Sequence, residues 1–324
     1  MTPMDPSDDT RPEPTYSVVV PVYDEAECLA ELYGRVRQVL TELGEPWELL
    51  LVDDGSTDGS TAAIRALAAA DERVVPVVFS RNFGHQLAVT AGLDRSRGQA
   101  VVVMDADLQD PPEVIPELVE RWREGAAVVS AVRTEREGES RFKLFTARIF
   151  YRLISRITDV DITPDAGDFR LLDRRVVDAL GDMRERHRFL RGMAAWVGFP
   201  MAEVSYARPA RFAGHTKYPL RKMVRLALSA ITGFSYVPLQ LATLLGFVVA
   251  ALAVLAVPVV IVLRVLGVPG LSGQATVLVA VLFLGGVQLL SIGLLGEYVG
   301  RISDEVKRRP LYVVDEEDRQ RTGR

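Results

Sequence analysis

The sequence predicts an α/β domain built on a parallel sheet, followed by an interfacial segment and two membrane-crossing helices. Three features carry that expectation. Short β-branched runs alternate with helical stretches through the first two thirds of the chain; acidic clusters stand directly behind three of those runs; and past residue 236 the sequence turns almost wholly apolar.

Met1–Pro14 is polar and Pro-rich, with too little apolar surface to offset the entropy of ordering, so a disordered lead-in is expected. Strands are predicted at Ser17–Val20, Glu48–Val52, Val74–Phe79, Ala100–Met104 and Ala126–Val132. After the first, Leu29, Leu32, Val36, Val39, Leu40 and Leu43 recur at the spacing of one helix face, and Asp58 with Ser60 stands where a cap would begin the next helix. Continuously apolar strands that alternate with helices imply a parallel sheet covered on both faces. Such sheets bind ligands beyond the carboxyl ends of their strands, so the residues just after each run are the informative ones.

Behind the first run come Pro21, Val22, Tyr23, Asp24 and Glu25; behind the second, Asp53, Asp54, Gly55 and Ser56; behind the fourth, Asp105, Ala106, Asp107, Leu108 and Gln109. Three acidic clusters are thus expected on one edge. On an extended strand end, Asp105 and Asp107 would send both carboxylates to one side, where their repulsion calls for a cation. A hard divalent ion, Mg²⁺ or Mn²⁺, held by oxygen ligands and shared with a diphosphate, meets that need. An isolated Asp-x-Asp often does no more than cap a turn, and Asp-Gly-Ser alone is usually a turn. Their joint placement behind successive strands favours a site. An EF-hand is excluded, because Pro116 falls where that loop needs its final Glu.

Two apolar runs follow, 237–263 and 275–295, each meeting the roughly 20 residues a helix needs to cross a bilayer. Buried core helices are the other reading of such runs, but these are apolar all round rather than along one stripe. Pro258 inside the first is tolerable in a membrane helix and marks a kink. Arg221, Lys222 and Arg225 precede the first run, and Arg301, Lys307, Arg308 and Arg309 follow the second, whereas the connection between them offers Arg264 alone. That bias places both termini and the N-terminal domain in the cytoplasm of a multi-pass inner-membrane protein. Residues 218–236 mix apolar and basic side chains, as an interfacial helix or an ordinary surface helix would. Gly296 and Gly300 only suggest helix pairing.

The 324 residues carry a formal net charge of -5 with acids and bases interleaved, so no basic field points to nucleic acid. The single cysteine, Cys28, excludes an intramolecular disulfide, and the N-terminus lacks the pattern of a secretory signal, so most of the chain is expected in a reducing cytosol.

The segments SVVVPVYDEAE, LLLVDDGSTDGS, SRNFGHQLA, VVVMDADLQDPPE, AGDFRLLDR and RFAGHTKYPL, with the two apolar runs after them, together carry a resemblance that extends from Tyr16 to Val314. The chain resembles family 2 glycosyltransferases of the Rossmann-like GT-A fold. Within them it is similar to the polyprenyl-phosphate glycosyltransferases related to dolichyl-phosphate mannose synthase and bacterial undecaprenyl-phosphate glucosyltransferases. Asp24 stands where that family more often has Asn, a departure expected to be mild. The implied organisation is a lead-in at 1–14, a glycosyltransferase domain at 15–217, an interfacial region at 218–236, two spans within 237–296, and a cytoplasmic tail at 297–324.

The resemblance implies that Pro21, Tyr23, Glu25, Asp53 and Asp54 bind the nucleotide, and that Asp105, Asp107 and Gln109 hold the metal and diphosphate. It implies that Arg133, Arg211 and Lys217 grip donor and acceptor phosphates, roles that suit a planar guanidinium and a mobile ammonium. Asp168 resembles a residue proposed as general base, although a phosphate monoester with a second pKa of about 6 hardly needs one. His85 and His215 are set aside, since a lone His in a polar loop is more often structural. The implied partners are a nucleotide-sugar donor, a polyprenyl phosphate, the membrane and further copies of the chain. The implied reaction is metal-dependent and inverts the anomeric carbon. A hydroxyl-acceptor polysaccharide synthase would carry a Gln-x-x-Arg-Trp segment and more spans, and neither is visible. A non-catalytic scaffold or lipid-carrier transporter is argued against by the intact Asp105, Asp107, Arg211 and Lys217.

Overall fold

The computed structural model describes residues 13–133, 166–206, 237–266 and 274–315. These fall into two compact units. The first holds the described residues up to 206 together with 309–315, and the second holds 237–266 and 274–308.

The first unit is built on a seven-stranded sheet of β1 (Tyr16–Val22), β2 (Trp47–Asp53), β3 (Val74–Val78), β4 (Ala100–Val103), β5 (Val128–Arg133), β6 (Ala166–Asp173) and β7 (Met201–Tyr206). The strand order is β3-β2-β1-β4-β6-β5-β7. The first four strands run parallel, β7 runs parallel to β5, and β6 is antiparallel to both β4 and β5. The sheet is therefore mixed and not wholly parallel as expected. Both β6 and β7 lie outside the predicted strands. The sequence AGDFRLLD of β6 lacks the β-branched run that marks the others; burial of Phe169, Leu171 and Leu172 holds it in the sheet instead. Reversing β6 has a consequence for the site. Arg170 pairs with Val103, the last residue of β4, so Gly167 and Asp168 emerge at the edge where β4 ends.

Helices cover both faces. The buried residues of α1 (Ala26–Leu43), Cys28, Leu29, Leu32, Val36, Val39 and Leu40, join Val18, Val20, Leu49 and Leu51 of the sheet and Ile115 and Leu118 of α4 (Ile115–Arg123) in one core. Gly44 ends α1 at φ +75°, a left-handed cap that glycine adopts freely. Ser60 opens α2 (Ser60–Ala70), and Asp58 Oδ1 accepts from both its amide and its hydroxyl. On the other face α3 (His85–Arg95) approaches β1 so closely that a Cβ on Gly92 would meet Val19 Cγ1 at 2.1 Å. The short helices α5 (Arg174–Asp182) and α6 (Leu190–Trp196) follow β6. Residues 309–315 return to the first unit, where Val314 bridges Phe79 beside the edge strand β3.

The second unit consists of two long helices, α7 (Val237–Val265) and α8 (Gln274–Val306), with exposed apolar side chains such as Phe247 and Leu290. Among the described residues one stretch, Phe283–Val306, is long and apolar enough to cross a membrane by length and composition; Ala242–Ala256 in α7 is a shorter apolar stretch. α8 continues eleven residues beyond the predicted span end at 295, since Gly296 to Val306 stays helical.

Candidate active site

The site is assembled at the carboxyl edge of β1, β2 and β4. The two loops behind β1 and β2 are laced together. Asp24, at φ +53°, accepts at Oδ1 from the Thr57 amide (2.8 Å), and its own amide donates to Ser56 Oγ (3.0 Å). The Glu25 and Ala26 amides donate to Ser60 Oγ and Asp58 Oδ2. A left-handed residue here favours Asn or Asp, which accounts for the tolerance of Asp24 at this position. Pro21 is buried, Tyr23 is exposed, and Glu25 is half-buried beside Cys28.

Asp53 and Asp54 are both buried, and both accept hydrogen bonds from backbone amides. Asp53 accepts from the Ser56 amide and the Thr61 hydroxyl, which closes its own turn. Asp54 reaches the loop after β3 and accepts from the amides of Phe83 (2.6 Å) and Gly84 (2.9 Å). Desolvation raises the Asp54 carboxyl above its ordinary value against the pull of those amides. Their first effect is thus to fix the shape of two loops.

Behind β4 the backbone departs from expectation. The strand ends at Val103, Ala106 and Asp107 form a turn, and Leu108 stands at φ +59°, so Asp105 and Asp107 do not alternate along an extended strand. Asp107 Oδ1 accepts from the Gln109 amide (3.1 Å), and Gln109 is half-buried. Asp110 is buried and braces the loop from below, accepting from the Asp105 amide (3.3 Å) and the Tyr206 hydroxyl (2.8 Å). Among the described residues no group of three or more His, Cys, Asp or Glu is close enough to hold a metal ion.

Asp168 gathers cations. Arg191 Nη2 lies 3.1 Å from Oδ1 and Arg170 Nη2 3.5 Å from it, while His85 Nε2 lies 3.2 Å and Gln86 Nε2 3.5 Å from Oδ2. The His85 nitrogen also stands 3.8 Å from Asp105 Oδ1; its approach to Asp168 is an ion pair rather than a well-aligned hydrogen bond. Desolvation would raise the Asp168 carboxyl, but His85, Arg191 and Arg170 outweigh it and hold the group well below the ordinary range. Desolvation likewise opposes the charge of His85, yet Asp168, Asp105 and Asp54 raise the imidazole to about 9. Desolvation, with Asp110, Asp168 and Asp107 nearby, pushes Asp105 upward against the pull of His85.

Of the sequence-predicted residues, Asp105 and Asp168 are brought together through His85, with Asp54 close enough to act on the same imidazole. Arg133 closes β5 in register with Tyr206, its side chain being outside the described part, and Arg211 and Lys217 lie outside the described residues. His85, set aside from sequence as a structural histidine, stands between Asp105 and Asp168, and Gln86, Asp110, Arg170 and Arg191 were not assigned to the site from sequence. A signal existed for His85 and Gln86, since they follow Gly84 at a strand-to-helix corner on the ligand edge. Asp110 and Arg191 carry no such marker.

Residues 17–181 match Glycosyl transferase family 2. The chain belongs to that family. Its members include relatives that match nearly end to end. A glycosyltransferase of Bacillus subtilis, YkcC, is 48% identical over 92% of this chain and 93% of its own length. The prophage bactoprenol glucosyl transferase homolog of Escherichia coli is 42% identical over 92% and 97%. The bactoprenol glucosyl transferase of Shigella phage SfII is 43% identical over 94% and 98%. Among solved structures, the glucosyl-3-phosphoglycerate synthase of Mycobacterium tuberculosis, crystallised with Mn²⁺ and UDP-glucose, is a distant likeness at 21% identity and TM-score 0.44 over 68% and 78%. The protein is a family 2 glycosyltransferase built on a mixed α/β sheet.

Proposed function

We propose that this glycosyltransferase moves a hexose from a nucleotide diphosphate-sugar of the UDP-glucose or GDP-mannose type to a polyprenyl phosphate at the cytoplasmic membrane face. The observation that carries this reading is the near end-to-end match, apolar helices included, to relatives named for bactoprenol glucosyl transfer. The chemistry at the sheet edge supports it. A lipid-phosphate oxygen forms the new bond to the anomeric carbon, the bond from that carbon to the nucleotide diphosphate breaks, and the electron pair leaves with the diphosphate, with inversion.

The residues suit a divalent cation. Asp105, Asp107 and Gln109 offer only oxygen donors, and the crowded, partly desolvated Asp105 gains from a neighbouring positive charge. As these three do not form a closed ligand set, they would hold Mg²⁺ or Mn²⁺ jointly with diphosphate oxygens. When bound, the ion supplies positive charge for the departing diphosphate. Asp53 and Asp54 shape the nucleotide edge with Pro21, Tyr23 and Glu25, and Arg133, Arg211 and Lys217 grip phosphates.

Asp168 acts in this reading as an orienting anchor and not as a base. Its carboxylate is already committed to Arg170, Arg191 and His85, and the acceptor phosphate, with a second pKa of about 6, arrives largely ionised. Both apolar helices cross the inner membrane, with the termini cytoplasmic, and the assembly is homo-oligomeric. A donor screen of the full-length protein in detergent tests the proposal: a labelled nucleotide-sugar and a polyprenyl phosphate should give a metal-dependent lipid-linked sugar. Transfer to a hydroxyl acceptor alone would reject it.

A further inference from the structure

The segment after α8 is not a free tail. The Ser80 amide donates to the Val313 carbonyl (3.0 Å) and the Asp315 amide to the Val78 carbonyl (2.8 Å), so 313–315 add a short antiparallel rung to the outer edge of β3. Covering an open edge asks only for backbone. Tyr312 does more than that. Its buried ring stacks on Phe79 at 5.1 Å and 16°, and Phe79 meets Phe83 edge-on at 5.5 Å. Its hydroxyl donates to Asp94 Oδ2 (2.9 Å) and accepts from Arg95 Nη1 (3.0 Å), both in the last turn of α3. Arg184 grips Asp94 from the far side at 2.8 Å.

One side chain therefore ties the C-terminal end of α3 to the loop that precedes its N-terminal end. That loop is 79–84, whose Phe83 and Gly84 amides hold Asp54. Its backbone also touches the Asp-Gly-Ser turn, since a Cβ on Gly55 would stand 2.6 Å from the Arg81 carbonyl carbon. The next residue is His85, against Asp105 and Asp168. The path from Tyr312 to the candidate nucleotide edge runs through Phe79, Phe83 and Asp54 without a gap.

We propose that Tyr312, from beyond the last long helix, is a positioning residue for the donor: its ring holds the 79–84 loop in the shape that receives the nucleotide. The inference rests on the reading of the Asp54 edge as the nucleotide site. Aromatic pairs of this kind contribute about 0.5–1.5 kcal/mol beyond burial, which converts to a change of about twofold to tenfold. Tyr312→Leu in the full-length protein should weaken UDP or GDP binding by about that factor and raise the KM for donor alike. The kcat at saturating donor and the KM for lipid acceptor should hold. Tyr312→Phe, which keeps the stack and loses the hydroxyl, should restore binding, whereas a role confined to stability would move the melting temperature in both variants and nucleotide affinity in neither. Calorimetry with UDP and GDP, alongside Asp54→Asn, separates the outcomes. If Asp54→Asn weakens binding and Tyr312→Leu does not, the positioning role is overturned. If Asp54→Asn leaves both nucleotides unaffected, the assignment of the edge fails first, and the inference with it. Should Tyr312→Leu not fold, Phe79→Leu removes the same stack from the other side and decides by the same measurement.

Discussion

Nε2 of His85 lies between two carboxylates, 3.2 Å from Oδ2 of Asp168 and 3.8 Å from Oδ1 of Asp105. One imidazole at the start of α3 thus joins a residue from the antiparallel strand β6 to one from the loop behind β4. Without it, Asp105 would face Asp168, Asp107 and Asp110 with its nearest counter-charge removed.

His85→Gln keeps a polar side chain and deletes that charge. Turnover should fall about a hundredfold to a thousandfold, the scale at which single preorganised donors act, with the fold retained. Steady-state kinetics with circular dichroism of the same preparation check this. Full turnover in the variant would leave His85 a structural histidine after all.

Asp168 decides between base and anchor. Its folded pKa is depressed, so it is ionised both folded and unfolded at pH 5 and above, and the stability it confers is lost only as pH falls below the unfolded value of about 3.9 toward the folded one. It cannot then produce a limb of the rate profile between pH 6 and 8. Asp168→Asn should depress the rate by a constant factor across that range, leaving the acidic limb to the lipid phosphate at about pH 6. A deficit that disappears above about pH 8 would mark a true base, needed only while the phosphate is monoanionic.

The acidic loop behind β4 should depend on a divalent ion. Asp107→Asn is expected to abolish transfer and to weaken Mn²⁺-dependent nucleotide binding, with little loss of fold, because the amide has the size of the carboxylate and keeps an oxygen that accepts from the Gln109 amide. Measured against this, undiminished transfer in excess EDTA would remove the metal from the reaction.

Much of this architecture could be read in advance, and the failures have physical causes. The strands β1 to β5 are apolar runs whose side chains have no alternative to burial, and the acids behind them stand out because charge is rare at such edges. β6 escaped because Gly167, Asp168 and Arg170 interrupt its pattern, and Asp168 and Arg170 belong to the cluster of charges around His85. His85 looked like a lone loop histidine because its partners come from other elements, Asp105 from the loop behind β4 and Asp168 from the reversed strand β6. The extended reading of Asp105 and Asp107 failed on local geometry, since β4 ends at Val103, one residue before the predicted end, and Ala106 and Asp107 then turn. The docking of Tyr312 is a contact across more than two hundred residues, which no local period records.

Basic residues at the ends of the two apolar helices set the orientation expected of them in a membrane. The basic residues Arg301, Lys307, Arg308 and Arg309 beyond the second apolar run outweigh the one arginine between the runs, so the connection between the two helices should face outward. The native thiol is a weak background for labelling: burial, with Glu25 beside it, pushes Cys28 up to about 11, far from the thiolate form. In a Cys28→Ala chain, Ser272→Cys should therefore react with a membrane-impermeant thiol reagent applied to intact cells, and Ser303→Cys, exposed near the end of α8, should react only after the cells are opened. The reverse pattern would turn the protein over, and with it the side on which the donor is used. Reaction of both in intact cells would mean that α7 and α8 do not separate Ser272 from Ser303 by a bilayer, leaving the apolar helices to some other apolar environment.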